Sequence, residues 1–371
     1  MRPAFSSTKQ AAAFALLLLC ILLSPVWAGK RLLPPREQAY ASQGWGSGPY
    51  PWIENQIFQE TNDIDILFIG SSHILHAIDT PYVEAQLVDK LSRPAVVRTL
   101  GWGGAGFDAL YFITRDLLVH RKVRMLVIYD ENPEPGIRNN QIVSWFRYGE
   151  DAGLIAGLPL TDQSLYYCSA ILAMPRGLLN LARPNLPAPL ISNPPNYWEQ
   201  HYGSASIVQL KGATKSRLGF NYDTLSDNFT AFTPFVPHTA ATPADTEVYS
   251  PDKPGDFQFG TAPLPAWQAA FGGRLSDLAV ANGCKLVLLS IPVLANAQAT
   301  NLQERTFWPA IFKKDFWLVG IPPAKMFDRL TDEQLHWLFT NRAHFNENGM
   351  TYFTPLVTPS LLRIYEAPIH H

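Results

Sequence analysis

A hydroxyl that attacks a carbonyl needs a base of near-neutral pKa to take its proton and hydrogen-bond donors for the oxyanion that forms. Ser72 stands in Ile69-Gly70-Ser71-Ser72-His73, directly after an apolar run. There a glycine permits a tight turn, and a serine on the first turn of the next helix sits where backbone N–H groups can meet an oxyanion. His344 stands in Asn341-Arg342-Ala343-His344-Phe345-Asn346-Glu347-Asn348-Gly349, a loop just ahead of the last helical segment. An imidazole there can accept the serine proton and return it to a leaving group. Gly104, in the loop Gly101-Trp102-Gly103-Gly104-Ala105-Gly106, would let a main-chain N–H approach a substrate, and Asn132, in Asp130-Glu131-Asn132-Pro133, carries an amide that can donate to the same oxyanion. Singly, each is an ordinary turn or cap residue. His73 and His76 invite a metal reading with Asp79 or His344, but no second clustered pair of ligands follows, so neither metal nor cofactor is expected.

The elements that must carry these residues show as short apolar strands alternating with helical periods. Residues 64–69, 95–100 and 123–129 read as strands. After the first comes a helix with Thr80 as cap, Pro81 in its first turn and Val83, Leu87, Val88 and Leu91 on one face; after the second, one carrying Leu110, Ile113, Leu117 and Leu118. Trp267, Phe271, Leu275 and Leu278 mark a later helix, residues 286–289 a strand, and residues 348–364 a closing helix in spite of Pro355 and Pro359. This alternation predicts an α/β domain with a parallel sheet buried on both faces. It stops between residues 135 and 263, where a helical stretch at 154–181 gives way to a region dense in Pro, Asn, Thr and aromatics. Two readings stay open for that region, a cap over the carboxyl edge of the sheet and partial disorder. Trp198, Tyr202, Phe232 and Phe235 within it would suit either sugar stacking or plain packing.

The chain of 371 residues is 47% hydrophobic and 16% charged, with a formal net charge of -2, which fits a globular protein and argues against a nucleic-acid partner. Arg2 and Lys9 precede a wholly apolar stretch at 11–23, and Val26-Trp27-Ala28 follows, so residues 1–28 read as a signal peptide cut after Ala28 or as an uncleaved anchor. Either reading exports the protein to the periplasm or cell exterior. The expected layout is then a leader at 1–28, an extended lead-in at 29–60, a first half-domain at 61–134, an insertion at 135–263 and a second half-domain at 264–371. Beyond the leader only Cys168 and Cys284 remain, too few for a disulfide scaffold, and Cys284 reads as a small core residue.

In their chain order, Ser72, Gly104, Asn132 and His344 resemble the blocks of the SGNH (GDSL-like) hydrolase and acyltransferase superfamily. Gly70-Ser71-Ser72 is similar to its first block, with Ser71 where the family has an acid, and His344 with Phe345, Asn346 and Gly349 is similar to its last. The resemblance spans residues 63–133 and 266–364. It implies a three-layer α/β/α, flavodoxin-like fold with a parallel sheet and a long insertion after the third strand. It also implies an esterase or acyltransferase in which Ser72 is the nucleophile, His344 the base, and the N–H groups of Ser72 and Gly104 with the Asn132 amide the oxyanion hole. One departure matters: Asn341 stands where the family's last block has aspartate. Asn341 can orient the ring through its carbonyl without supplying charge; otherwise Asp328 or Asp332 provides the acid, the pair acts as a dyad, or the domain is a non-catalytic scaffold that binds glycan. The leader, the Gly-Ser-Ser variant and the insertion are similar to the extracytoplasmic branch, which includes alginate O-acetylation and teichoic-acid D-alanyl-transfer proteins. That branch implies an acylated carbohydrate or small ester as substrate and a membrane acyltransferase as a partner to consider.

Overall fold

The computed structural model describes residues 5–28, 33, 35–41, 50–102, 106–129, 145–182, 241–250, 264–300, 302, 311–312, 316–339 and 343–368. The chain divides into two units, one of Met1–Gln43 with Asn140–Ala188 and the other of Gly44–Asn139 with Pro189–His371.

The larger unit is built on a six-stranded sheet. Strands β1 (Ile64–Ser71), β2 (Val97–Trp102), β3 (Val123–Tyr129), β5 (Lys285–Leu289) and β6 (Phe316–Gly320) run parallel, and β4 (Glu247–Tyr249) lies antiparallel on the edge beside β6. The order is β2-β1-β3-β5-β6-β4, with Phe68 facing Thr99 on one side and Val127 on the other. Side chains alternate between faces along a strand. Ile66, Phe68, Met125, Val127, Val287 and Leu289 join one apolar cluster, while their neighbours Leu67, Leu126, Leu286 and Leu288 are also buried. Burial on both faces is what makes these strands continuous apolar runs.

The first cluster is closed by helices α2 (Ser72–Ala77) and α3 (Thr80–Leu91), through Ile74, Val83 and Leu87, and by the last helix, α9 (Glu347–Glu366), through Phe353, Leu356, Val357 and Leu361. Helices α4 (Phe107–His120) and α7 (Ala266–Ala281) pack on each other through Phe112 and Phe271, whose ring centroids are 5.7 Å apart. Helix α9 runs unbroken past Pro355 and Pro359. A proline removes the bond to the carbonyl four residues earlier. Thr351, Pro355 and Pro359 share the outer face, exposed or half-buried, so the released carbonyls of Thr351 and Pro355 face water rather than the core.

Several expectations need correction. The lead-in is not extended throughout: Arg36–Ala41 and Tyr50–Glu54 are helical, and the latter continues into a wide turn at Asn55–Gln59. Trp52, Ile53 and Ile57 are buried, the Trp52 indole donates to the Thr99 carbonyl at 3.0 Å, and the Arg121 guanidinium holds the carbonyls of Gln56 and Asn62 at 2.8 and 2.6 Å. Burial of these side chains, together with the Trp52 and Arg121 hydrogen bonds, holds this part of the lead-in in place. Asp79 rather than Thr80 caps α3, its carboxylate accepting from the Tyr82 N–H at 3.2 Å, while the Thr80 hydroxyl is buried against that of Thr99 at 2.6 Å. The sheet also reclaims the chain before residue 263, because β4 pairs with β6 from within the span read as an insertion.

The smaller unit contains α1 (Thr8–Ala28), the Arg36–Ala41 helix, α5 (Tyr148–Ile155) and α6 (Leu160–Ala182). The Arg36 guanidinium ties it together, donating to the Trp145 carbonyl at 2.9 Å and pairing with the buried Asp151 carboxylate at 3.1 Å. All three cysteines are free thiols. Cys284 is buried with its thiol donating to the Val123 carbonyl at 2.8 Å, and burial pushes its pKa up to about 12.

Two glycines separate packing constraint from open space. A Cβ at Gly349, in the first turn of α9, would stand 2.3 Å from both the Leu338 carbonyl and the Phe345 ring, whereas at Gly273 in α7 the nearest atom is 3.8 Å away. Gly349→Ala should therefore cost about 1–3 kcal/mol in denaturant unfolding. Gly273→Ala should be neutral or stabilise by up to about 1 kcal/mol, through the lower backbone entropy of alanine in a helix.

Candidate active site

Ser72 and His344 meet. Their side chains, Oγ and Nε2, are 2.7 Å apart, both half-buried. For the hydroxyl to donate, Nε2 must hold the lone pair and Nδ1 the proton. Ser72 is the first residue of α2, where an N–H has no partner within the helix. It is set there by Ser71, whose hydroxyl caps α2 by accepting from the His73 N–H at 3.4 Å. Serine is among the best N-cap residues, which suits Ser71 to that position.

Gly70 does not act as expected. It lies within β1, and an added Cβ would meet only ordinary contacts, Ile74 at 3.6 Å and Tyr129 at 3.7 Å. The glycine that close approach demands is Gly101 in β2, where a Cβ would fall 2.3 Å from Leu75 Cγ in α2.

His344 is held by its successors. Phe345 is buried in a ladder of rings with Phe339 and Phe353, at centroid distances of 4.7 and 5.7 Å. Asn346 caps α9, its Oδ1 accepting from the N–H groups of Asn348 and Gly349 at 2.9 and 3.1 Å. Its Nδ2 donates to the carbonyls of Trp337 and Phe339 at 2.7 and 3.3 Å, which ties the histidine loop to the turn after α8 (Asp332–His336). Thr354 then locks α9 to the serine side: its hydroxyl donates to the Ala77 carbonyl at 3.1 Å and accepts from the Asp79 N–H at 3.0 Å.

Two further histidines complete the cluster. The His73 ring stacks on His344 at 4.6 Å between centroids and on Tyr129, at the end of β3, at 4.7 Å. His76 is buried and meets the His344 ring edge-on at 5.3 Å. Among the described residues no group of three or more His, Cys, Asp or Glu side chains is arranged to hold a metal. The ring packing of His73 and His76 has no signal in the sequence, because it depends on Tyr129 and His344, which come from distant segments. Asp328 is exposed and pairs with Arg329 at 3.5 Å, and Asp332 is exposed in the first turn of α8. Asp79 spends its carboxylate on the α3 cap, and burial raises its pKa. Gly104, Asn132 and Asn341 lie outside the described residues, as do Trp198, Tyr202, Phe232 and Phe235.

The position in the sheet is informative. From β1 the chain crosses to β2 on one side and then returns to β3 on the other, which opens a crevice between the carboxyl ends of β1 and β3. Ser72 follows β1 and Tyr129 ends β3, so the serine, the histidines and the tyrosine cluster at the switch point, where open α/β sheets bind ligands. No family model matches the chain, and no curated protein matches its sequence. Fold and site together define an α/β protein with a mainly parallel sheet and a hydrogen-bonded serine–histidine pair at its carboxyl edge.

Burial pushes the pKa of His344 from its ordinary 6.5 down to about 4. The unfolded chain therefore binds a proton that the folded protein refuses across that interval, and the stability contributed by this group falls as the pH drops through it. In a proton NMR titration the His344 Cε1–H resonance, assigned by its loss in His344→Gln, should hold its neutral position from pH 8 to pH 5. A midpoint near 6.5 would contradict the burial.

Proposed function

We propose that the protein is a serine-dependent esterase or O-acyltransferase of the SGNH type, acting outside the cytoplasm on acyl esters of a polysaccharide or another cell-surface polymer. The observation that carries this reading is the 2.7 Å contact between Ser72 Oγ and His344 Nε2. Ser72 attacks the ester carbonyl as its proton passes to Nε2; the Ser72–acyl bond forms, and the alcohol leaves with the proton returned by His344. The Ser72 N–H at the start of α2, with the Gly104 N–H and the Asn132 amide, holds the oxyanion. Water or a sugar hydroxyl then takes the acyl group, and exclusion of water from the closed site decides between the two.

The order of the parallel strands, with β2 and β1 ahead of β3, β5 and β6, is that of flavodoxin-like sheets and supports the superfamily assignment. The apolar helix Thr8–Trp27 near the N-terminus supports export. A second reading is favoured by Asn341 and by the depressed basicity of His344: a non-catalytic scaffold of the same fold that binds glycan or a membrane acyltransferase.

A fluorophosphonate probe separates these. Wild-type protein should label, Ser72→Ala should not, and turnover of a chromogenic acetyl ester should fall roughly ten-thousand-fold in that variant. Folded wild-type protein that never labels would leave the scaffold reading. His73 serves in this scheme as a positioning residue that fixes the plane of His344. Loss of its ring in His73→Ala should slow labelling by roughly ten- to a hundredfold, while His73→Phe, which keeps a flat ring, should restore most of the rate. Equal rates in both variants would remove that role.

A further inference from the structure

The smaller unit exposes apolar surface on two helices that pack together. Helix α1 spans Thr8–Trp27 as 20 residues of mean hydropathy 2.1, only 11% buried. At 1.5 Å per residue that is about 30 Å, the thickness of a bilayer's hydrocarbon core. A leader destined for removal has no reason to be built into the folded protein, yet α5 and α6 both pack on α1. The Tyr167 hydroxyl of α6 donates to the Leu22 carbonyl at 2.5 Å, and Tyr148 meets the Tyr167 ring edge-on at 4.8 Å. Cleavage after Ala28 would strip both helices of the surface they rest on.

The outward face of α6 is equally unusual. Between residues 160 and 174 its exposed positions are Leu160, Thr161, Ser164, Leu165, Cys168 and Leu172, none of them charged. Leu160 and Leu172 are 81% and 67% exposed. A helix face turned to water carries charge, whereas a face turned to lipid does not. Trp27, exposed near the end of α1, with Tyr148 and Tyr167 beside Leu22, places amphipathic rings on the same third of α1, as at a membrane interface. Arg2 and Lys9 at the opposite end fit a cytoplasmic N-terminus.

We propose that α1 is retained as a membrane span and that the uncharged stripe of α6 lies in the headgroup–acyl boundary of the same bilayer, so that the smaller unit is seated on lipid through two helices. This is independent of the proposed chemistry. Cys168 lies in the stripe and Cys284 is buried, so a Cys20→Ser protein takes a polarity-sensitive maleimide at Cys168 alone. In vesicles of phosphatidylcholine and phosphatidylglycerol its emission should shift to the blue and be quenched by a nitroxide on the lipid headgroup. The intact mass of membrane-extracted full-length protein should include residues 8–28. Leu165→Glu with Leu172→Glu should abolish the quenching while α1 still holds the protein in the vesicle. A mass that begins after Ala28 would overturn the proposal. So would emission indifferent to the nitroxide, whether the probe then reports water or the cover of a second protein. Should the double variant fail to fold, the mass and quenching of the Cys20→Ser protein decide the matter.

Discussion

The candidate site depends on one short contact between side chains 272 positions apart, at 2.7 Å. Proton transfer tolerates little slack in such a distance, and closing so long a loop has an entropic cost that local propensity cannot offset. The fold meets this by fixing each partner through its chain neighbours. Ser72 is held by β1 behind it and the Ser71 cap; His344 is held by the buried Phe345 and by the four hydrogen bonds of the Asn346 amide. The Thr354 hydroxyl then joins the two sides. At its far end α9 is secured by the buried Lys285 ammonium, which donates to the carbonyls of Ile364 and Tyr365, both at 2.7 Å, and to that of Ala367. A cation at a helix C-terminus meets the negative end of the dipole as well as the orphan carbonyls. Helix α9 is thus pinned at both ends and cannot slide along the sheet without breaking one of them.

The same packing that fixes His344 also lowers its basicity. Desolvation disfavours the imidazolium, and a carboxylate behind the ring is the usual remedy. The carboxylates that could have filled that role by sequence proximity are committed elsewhere or face water. Two rings lie against that of His344, His73 on its face and His76 at its edge. Such rings fix orientation without contributing a full charge. In the proposed chemistry, donors on the oxyanion side act on the charge as it forms.

Much of the architecture was legible in the residues. The strand at 123–129 matches β3, and β1 and β5 extend the expected runs by one or two residues, because a strand covered on both faces is written as an unbroken apolar run. Other parts were not legible for physical reasons. β4 is only three residues, too short for any period, and is defined by pairing with β6. The helical stretch at 50–59 owes its form to the Trp52–Thr99 and Arg121–Gln56 bonds, whose partners are far apart in sequence. Ser72 and His344 could be named from the order of their segments, but the stacking of His73 depends on Tyr129 at the end of another strand, which no local pattern reports. Asn346 was within reach: an Asn just ahead of a helical run, with a glycine three residues on, is a recognisable cap.

The glycines show where the precision of the site comes from. A tight turn after β1 would place the demand on Gly70, yet the backbone there has room for a side chain. The demand falls on Gly101 and Gly349, which do not touch the hydrogen bond itself. Gly101 lets β2 approach Leu75 and so sets how close α2, with Ser72 at its head, lies to the sheet. Gly349 lets α9 approach the Leu338 carbonyl and the Phe345 ring, and so sets the height of the residue before Phe345, which is His344. Interiors packed to crystal density pass such constraints along with little give. The serine–histidine distance therefore rests on two close backbone approaches on either side of it as well as on the Ser71 and Asn346 caps.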